Sequence, residues 1–198
     1  MTRISELPLE DWDPELRALT RADSAPDMVR QRIAITAHAP HMAKAVIAFK
    51  TEAAKGRRLS PRLIELVRLR VAFHNQCRTC MAVRYQSAFD DGLTDDMVCS
   101  LEKPVDAPDL SAAEKAALAY VDLFATDHLA IDDAMFDRLR TSFSEAEIVE
   151  LCLTVSHFIA FGRFVAVMGQ VEGLPEGFHD RSTPTAPWAV DESILLAG

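Results

Sequence analysis

The sequence predicts an all-α fold, a single-domain helical bundle, on three observations. Apolar residues recur at helical spacing in nearly every strong segment of the chain. The pairs Asp13-Pro14 and Ser60-Pro61 place a capping residue before a proline, which is a typical helix start. No hairpin turn signal brackets valine-rich segments such as residues 165–167. With 198 residues, 49% of them apolar, the chain is long enough for one sizeable core.

Three helices are predicted before Gly56, which interrupts the helical pattern. Each of them begins at or next to a proline, a residue that suits the first turn of a helix: Pro14, Pro26 and Pro40. We expect these helices to cover residues 15–21, 26–35 and 40–55.

The most buried helix is predicted over residues 62–74. Its apolar residues leave only a narrow polar stripe, as in a helix that is surrounded on most sides. A further helix is expected from a cap at Asn75 through Phe89, with the pair Asp91-Gly92 as its end.

Helices are predicted for most of the remaining chain as well, over residues 94–101, 111–126, 132–140 and 144–171, with a proline-marked loop at 102–110. Ser111 and Glu114 have the spacing of a capping box, and Gly162 is expected to break or kink the last helix. The chain thus divides into an N-terminal helical extension, a helical core and an extended C-terminal arm, over residues 1–24, 25–173 and 174–198. We expect apolar residues of the arm to pack on another surface, such as a neighbouring subunit.

The charge of the chain disfavours some classes of partner. The net charge is −9, from 21 basic and 30 acidic residues, whereas phosphate binding depends on clustered lysine and arginine. No nucleic acid or membrane partner is therefore predicted. The N-terminus is too acidic and too weakly apolar for a signal peptide, and no uninterrupted apolar stretch reaches the roughly 18 residues of a membrane span. We expect a cytoplasmic protein.

The most informative motif is the pair Cys77 and Cys80, with two residues between them. Two thiols at this spacing can share a helical turn and close into a disulfide. At a helix start the amide dipoles would stabilise a thiolate, and Arg84 could reach back over Cys80 from one turn further along. Solvent access is predicted from the polar neighbours Asn75, Gln76, Arg78 and Thr79. Redox or peroxide chemistry is the first hypothesis.

Other interpretations of this motif stay open. The two thiols could be inert and partly buried. They could also bind zinc with His74 as a third ligand, although structural zinc sites want four ligands and no second close pair of cysteines is present. We predict no metal and no cofactor.

Two further side chains near the motif could move protons. Glu65 lies in the buried helix, where a carboxylate is costly unless it is paired or functional. It could face the thiols and act through a water molecule, or it could pair with Arg62 or Arg68, each three residues away. His74 could relay protons, or it could end its helix, where an imidazolium is favourable.

Taken together, these residues resemble the core of the carboxymuconolactone decarboxylase and alkylhydroperoxidase D family. The resemblance rests on residues 59–67, LSPRLIELV, on the Val-Ala pair at 71–72, and on the spacing from Glu65 to the two cysteines. Weaker similarity lies at residues 37–40, 144–151 and 161–164, so that the resemblance covers about residues 25–173.

The resemblance implies an all-helical subunit that assembles into trimers or hexamers. It implies that Cys80 attacks a hydroperoxide substrate after a relay through Glu65 removes its proton. It also implies that Cys77 resolves the sulfenic acid as a disulfide and exchanges with an external dithiol reductant.

One position departs from the family pattern. The family usually has a relay histidine four residues after the second cysteine, and this chain has Arg84 there. Arginine cannot act as a base near neutral pH, because its pKa exceeds about 12. The proton would then leave through Glu65 and water, or through His74, while Arg84 would stabilise the thiolate.

Two alternative functions accompany the hydroperoxidase or dithiol oxidoreductase hypothesis. The first is a decarboxylase or isomerase that acts on a small organic acid or lactone, with Arg84 or Arg163 binding the substrate carboxylate. The second is a non-catalytic oligomer whose thiols sense the redox state. The resemblance favours redox chemistry, because branches of the family that decarboxylate a lactone generally lack the cysteine pair.

Overall fold

The structure, a computed structural model, describes residues 2–197, and its contacts divide the chain into two units. The first unit ends at Arg57 and the second begins at Arg58.

The first unit has three helices where three are predicted: α1 Pro14–Leu19, α2 Asp27–Thr36 and α3 Pro40–Lys55. The side chain of Asp13 accepts a hydrogen bond from Leu16 N at 2.9 Å, which confirms the predicted cap. Trp12 and Leu16 are buried in the core of this unit, among small apolar side chains of α2 and α3.

The second unit is built around one central helix. Its helices are α4 Pro61–Asn75, α5 Arg78–Ala82, α6 Gln86–Asp90, α7 Asp95–Ser100, α8 Ala112–Thr126, α9 Asp133–Arg140 and α10 Glu145–Met168. Helix α4 packs against both α8 and α10, and nine of its residues are buried. The prediction of a helix that is surrounded on most sides is confirmed, as is the capping box that begins α8 at Ser111. A second capping box, which was not predicted, begins α10 at Ser144.

The helix predicted from Asn75 to Phe89 is wrong. Helix α4 continues through Asn75 and ends at Gln76, which has a left-handed backbone with φ of 50°. Cys77 then caps the five-residue helix α5. After α5 the chain is extended as strand β1, Val83–Tyr85, before α6 begins.

The extended stretch forms because it pairs with the end of the chain. Strand β1 lies parallel to β2, Ile194–Leu196, in a two-stranded sheet. The pairing joins Val83 with Ile194 and Tyr85 with Leu196. The fold is thus mostly helical rather than purely helical, because a partner distant in sequence supplies hydrogen bonds that replace those of a helix.

The C-terminal part of the chain packs on its own unit. Phe178 has no exposed surface and lies in a cluster with Leu174, Ala72, Met81 and Ala82. Trp188 stacks on Phe73, with ring centroids 4.9 Å apart. The apolar residues of the predicted arm therefore find a partner within the chain.

Helix α10 combines length with low polarity. Among residues 2–197 it is the one helix long and apolar enough to cross a membrane by length and composition. One such helix is weak evidence for a membrane span, since core helices of soluble proteins meet the same criterion.

Gly162 does not break or kink α10, which runs unbroken from Glu145 to Met168. The glycine is buried against Asn75, and an added Cβ would overlap the Asn75 amide nitrogen. That nitrogen donates hydrogen bonds to Phe158 O at 3.1 Å and to Ile159 O at 3.3 Å. The absence of a side chain therefore lets α4 approach α10.

Replacing Gly162 by alanine is expected to destabilise the second unit. The methyl group would displace the Asn75 amide from its two carbonyl partners, and overpacking of this kind costs about 1–3 kcal/mol. Urea unfolding would measure the loss. The matched control is Gly56→Ala, because a Cβ at Gly56 meets nothing within 4 Å. Equal stability of the two variants would contradict the tight α4–α10 contact.

Candidate functional site

Cys77 and Cys80 are joined as a disulfide at the start of α5, with their Cα atoms 5.2 Å apart. The Sγ atom of Cys77 accepts a hydrogen bond from Cys80 N at 3.3 Å and so caps the helix. With five residues in α5, few peptide dipoles align behind the cysteines. The hydrogen bond from Cys80 N is therefore the local interaction that would stabilise negative charge on Cys77.

The motif is less exposed than its polar neighbours predict. Cys77 has no exposed surface and Cys80 is half-buried. Arg78 and Thr79 are 5% and 3% exposed, and Asn75 is buried as well. The prediction of solvent access from these side chains is wrong, because each polar group binds protein atoms instead of water. Access to the disulfide is on the side of Cys80.

Glu65 is buried and pairs with Arg68, one of the two partners predicted for it. Arg68 Nε donates to Glu65 Oε2 at 2.7 Å and Arg68 Nη2 donates to Oε1 at 2.6 Å. The other candidate, Arg62, lies 2.8 Å from Glu114 Oε1 instead. Burial alone would lower the pKa of Arg68, but the charge and hydrogen bonds of Glu65 outweigh it and raise that pKa.

Arg68 connects this ion pair to the cysteines. Its Nη1 donates to Cys80 O at 2.6 Å, and its Nη2 donates to Val83 O at 2.7 Å. The guanidinium also lies over the ring of Tyr85, 5.2 Å from the centroid. Glu65 therefore acts on the backbone of Cys80 through Arg68, which fixes the end of α5 and the start of β1.

Arg84 does not lie on the same helix as Cys80, so that the predicted reach over the thiol from one helical turn away is wrong. Its buried guanidinium donates to Met81 O, Val83 O and Pro187 O at 2.6, 2.9 and 2.9 Å. Burial and, to a smaller extent, the nearby charge of Arg68 together lower the pKa of Arg84 to about 10, against the opposing effect of Glu65.

His74 lies in the last turn of α4, beside the carboxylate of Asp122, which was not among the predicted site residues. His74 Nε2 lies 2.7 Å from Asp122 Oδ1. Arg70 binds the same carboxylate through its Nε and Nη2, at 2.6 and 3.0 Å. Burial by itself would raise the pKa of Asp122, and the hydrogen bonds from His74 and Arg70 lower it overall. Arg70 and His74 lie one turn apart on α4, and this spacing of two basic side chains could have predicted a shared acidic partner.

The contacts do not support two other roles considered for this site, an arginine that binds a substrate carboxylate and a zinc site. The decarboxylase alternative uses Arg84 or Arg163 to bind a substrate carboxylate. Arg163 donates to Asn75 Oδ1 at 3.1 Å and to Ala125 O at 3.2 Å, so that both guanidinium groups already bind protein oxygens. Within residues 2–197, no group of three or more histidine, cysteine or acidic side chains could hold a metal ion.

Comparisons with known proteins show similar sequences and similar folds. Residues 40–123 match the carboxymuconolactone decarboxylase family. Two uncharacterized proteins of Mycobacterium tuberculosis, from strains CDC 1551 and H37Rv, are each 37% identical over 109 residues. The matched region is 54% of this chain and 38% of each relative, so that the chain spans well under two thirds of their length.

Solved structures share the fold. A protein of unknown function from Agrobacterium tumefaciens, provisionally named the antioxidant defence protein AhpD, is 25% identical with a TM-score of 0.61, over 73% of this chain and 97% of that one. An alkylhydroperoxidase AhpD core from Ralstonia eutropha is 16% identical with a TM-score of 0.67, over 90% and 94%. A debrominase is 19% identical with a TM-score of 0.71, over 90% and 97%. The last two show likeness of fold alone.

Proposed function

We propose that this chain, whose residues 40–123 match the carboxymuconolactone decarboxylase family, is a peroxiredoxin-like hydroperoxidase, a dithiol oxidoreductase. The observation that carries the proposal is the Cys77–Cys80 disulfide, which joins a buried residue to a partly exposed one. A peroxidatic pair needs one cysteine that the substrate can reach and a second thiol within bonding distance of it.

The reaction proposed for the pair has two chemical steps. The Cys80 thiolate attacks a hydroperoxide oxygen, the O–O bond breaks, and an alcohol leaves after taking up a proton. Cys80 is then a sulfenic acid. The Cys77 thiol attacks this sulfur, water leaves, and the disulfide forms. An external dithiol supplies the two electrons and two protons that restore both thiols.

The other residues of the site are proposed to act on Cys80 from a distance. Because both oxygens of Glu65 bind Arg68, we assign Glu65 to positioning rather than to proton relay. His74 is bound to Asp122, and we assign it to holding the end of α4, which leads to Cys77. Arg84 is also assigned to positioning, because its guanidinium binds Met81 O, Val83 O and Pro187 O.

The setting of the enzyme is also part of the proposal. Helix α10 exposes large apolar side chains at Val149, Leu153 and Val167. An exposed apolar face of this kind marks an interaction surface in many soluble proteins. We assign it to contacts between copies of this chain in a cytoplasmic homo-oligomer, a trimer or hexamer.

Peroxide-dependent oxidation of the reduced protein tests the proposed function. A free thiol is only a few per cent ionised at neutral pH, so an activated Cys80 should react at least about tenfold faster than an ordinary cysteine. Stopped-flow fluorescence would give the rate, with organic hydroperoxide and hydrogen peroxide compared. Intact mass should show the loss of two hydrogen atoms.

The matched control replaces the two remaining cysteines, Cys99 and Cys152, by serine. These thiols are free and lie outside the pair, so that the rate and the mass change should persist in the double variant. Oxidation no faster than that of a free cysteine would contradict the hydroperoxidase proposal.

A further inference from the structure

The two sulfur atoms of the disulfide differ in what can reach them. Cys77 has no exposed surface, whereas Cys80 is half-buried. Reduction by an external dithiol begins with attack of a thiolate on one of the two sulfurs, and access helps to decide which one. Of the two cysteines, only Cys80 has exposed surface, so that Cys80 is the side from which a thiolate can approach the disulfide.

The C-terminal segment, residues 170–197, is bound to the residue that precedes Cys77. Gln76 Nε2 donates to Thr185 O at 3.1 Å, and Thr185 N donates back to Gln76 Oε1 at 3.0 Å. This reciprocal pair holds the extended chain at the junction of α4 and α5. The C-terminal segment is therefore fixed where α4 gives way to the cysteines.

The same segment covers the two residues between the cysteines. Arg78 donates to Asp180 O at 3.2 Å and to Thr183 O at 2.5 Å. Thr79 Oγ1 donates to Gln170 O at 2.9 Å. Arg78 and Thr79 are almost fully buried. The C-terminal segment thus holds Gln76 and Arg78, the residues on either side of Cys77, and keeps a reductant from approaching Cys77.

The contacts of Cys77 also suit a leaving group. Its Sγ atom accepts the Cys80 N–H hydrogen bond, and such a bond strengthens when the acceptor becomes negative. A sulfur that is stabilised as a thiolate leaves faster in thiol–disulfide exchange. Access at Cys80 and stabilisation at Cys77 thus favour the same direction of attack.

We propose that an external dithiol reductant attacks Cys80 Sγ and that Cys77 is the leaving thiolate. A bond forms between the reductant and Cys80 as the Cys77–Cys80 bond breaks, and its electron pair passes to Cys77, which takes up a proton. The second thiol of the reductant then attacks the mixed disulfide, and Cys80 leaves. This assignment rests on the proposed function, and it reverses the exchange at Cys77 that the family resemblance implies.

Trypsin makes the two sulfurs separable in the unmodified sequence, because Arg78 lies between them. Cleavage yields residues 71–78, with Cys77, and residues 79–84, with Cys80. The oxidised protein is treated with reduced glutathione, quenched with acid, alkylated in denaturant, digested and analysed by mass spectrometry. We expect glutathione on the peptide 79–84 and the alkyl group on the peptide 71–78. Glutathione chiefly on 71–78 would overturn the proposal.

Because the mixed disulfide is short-lived, single-thiol variants give a second measurement. With Cys99 and Cys152 also changed to serine, the Cys77→Ser variant keeps only Cys80, and the Cys80→Ser variant keeps only Cys77. Cys80 should react with dithiobis(nitrobenzoic acid) at least about tenfold faster than Cys77. Equal rates, or a faster Cys77, would argue against the assignment.

A variant that weakens the binding of the C-terminal segment tests whether this segment is what buries Cys77. Arg78→Ala removes the bonds to Asp180 and Thr183, and it should raise the reactivity of Cys77 while leaving that of Cys80 unchanged. A Cys77 that stays slow would show that this segment is not its cover. Peroxide turnover enters none of these measurements, so that failure of the proposed function and failure of this assignment are distinguishable.

Discussion

Replacing Cys80 by serine abolishes peroxide turnover, with an expected loss of at least about a thousandfold, or about 4 kcal/mol of transition-state stabilisation. The reason is chemical, since a serine hydroxyl beside no general base is not ionised near neutral pH and cannot replace a thiolate. Steady-state peroxide consumption with a dithiol reductant would measure the loss. Cys99→Ser, at a free and exposed cysteine, should retain full turnover.

Cys77→Ser separates the two chemical steps. In the absence of a reductant, the variant should still consume one equivalent of peroxide at Cys80, become heavier by one oxygen atom and then stop, because no second thiol forms the disulfide. Full turnover in Cys80→Ser would refute the hydroperoxidase. Unchanged turnover of an organic acid or lactone by the double variant Cys77→Ser with Cys80→Ser would support the decarboxylase alternative instead.

The largest expected effect on stability comes from Arg68→Met, which leaves Glu65 as an unpaired buried carboxylate. Breaking one side of a buried ion pair costs about 3–5 kcal/mol. The same change also removes the hydrogen bonds from Arg68 to Cys80 O and Val83 O, of which Val83 O keeps a second donor in Arg84. Urea unfolding, with and without reduction of the disulfide, would measure the loss.

The control for this prediction is Arg140→Met, because Arg140 forms an exposed pair with Asp137 and Glu145 and should contribute little. A double variant, Glu65→Met with Arg68→Met, should recover much of the stability lost in Arg68→Met, since an apolar pair carries no unpaired charge. Additive losses in the double variant would contradict a tight pair.

Glu65→Gln distinguishes positioning from proton relay at the same site. If Glu65 holds Arg68, the folded variant should oxidise with an unchanged dependence on pH, although it unfolds more easily. If Glu65 accepts the Cys80 proton, the rate should fall and its pH dependence should shift even where the variant is fully folded.

Local signals in the sequence were sufficient for most helices. A capping residue before Pro14 or Pro61 fixes a helix start through bonds made within one turn, and the structure confirms both. The capping box at Ser111 and Glu114 is equally local. The partner of Glu65 also lay within one turn, so that Arg68 was among the alternatives the sequence offered.

What the sequence did not reveal depends on contacts between distant parts of the chain. Val83 and Tyr85 are residue types that favour strands, but their strand needs Ile194–Leu196 as a partner. Arg78 and Thr79 look exposed until the C-terminal segment covers them. The sequence shows that these side chains are polar, but it does not show that carbonyl groups of the distant C-terminal segment bind them.

The pairing of the cysteine region with the end of the chain has a consequence for biosynthesis. Arg84 and its acceptor Pro187 are 103 residues apart. Translation proceeds at about 5–20 residues per second, so that about 5–20 s pass between their synthesis. During this interval the nascent chain displays both thiols without their covering. The relative rates of translation and of thiol oxidation therefore decide whether the disulfide forms before or after the C-terminal segment is synthesised.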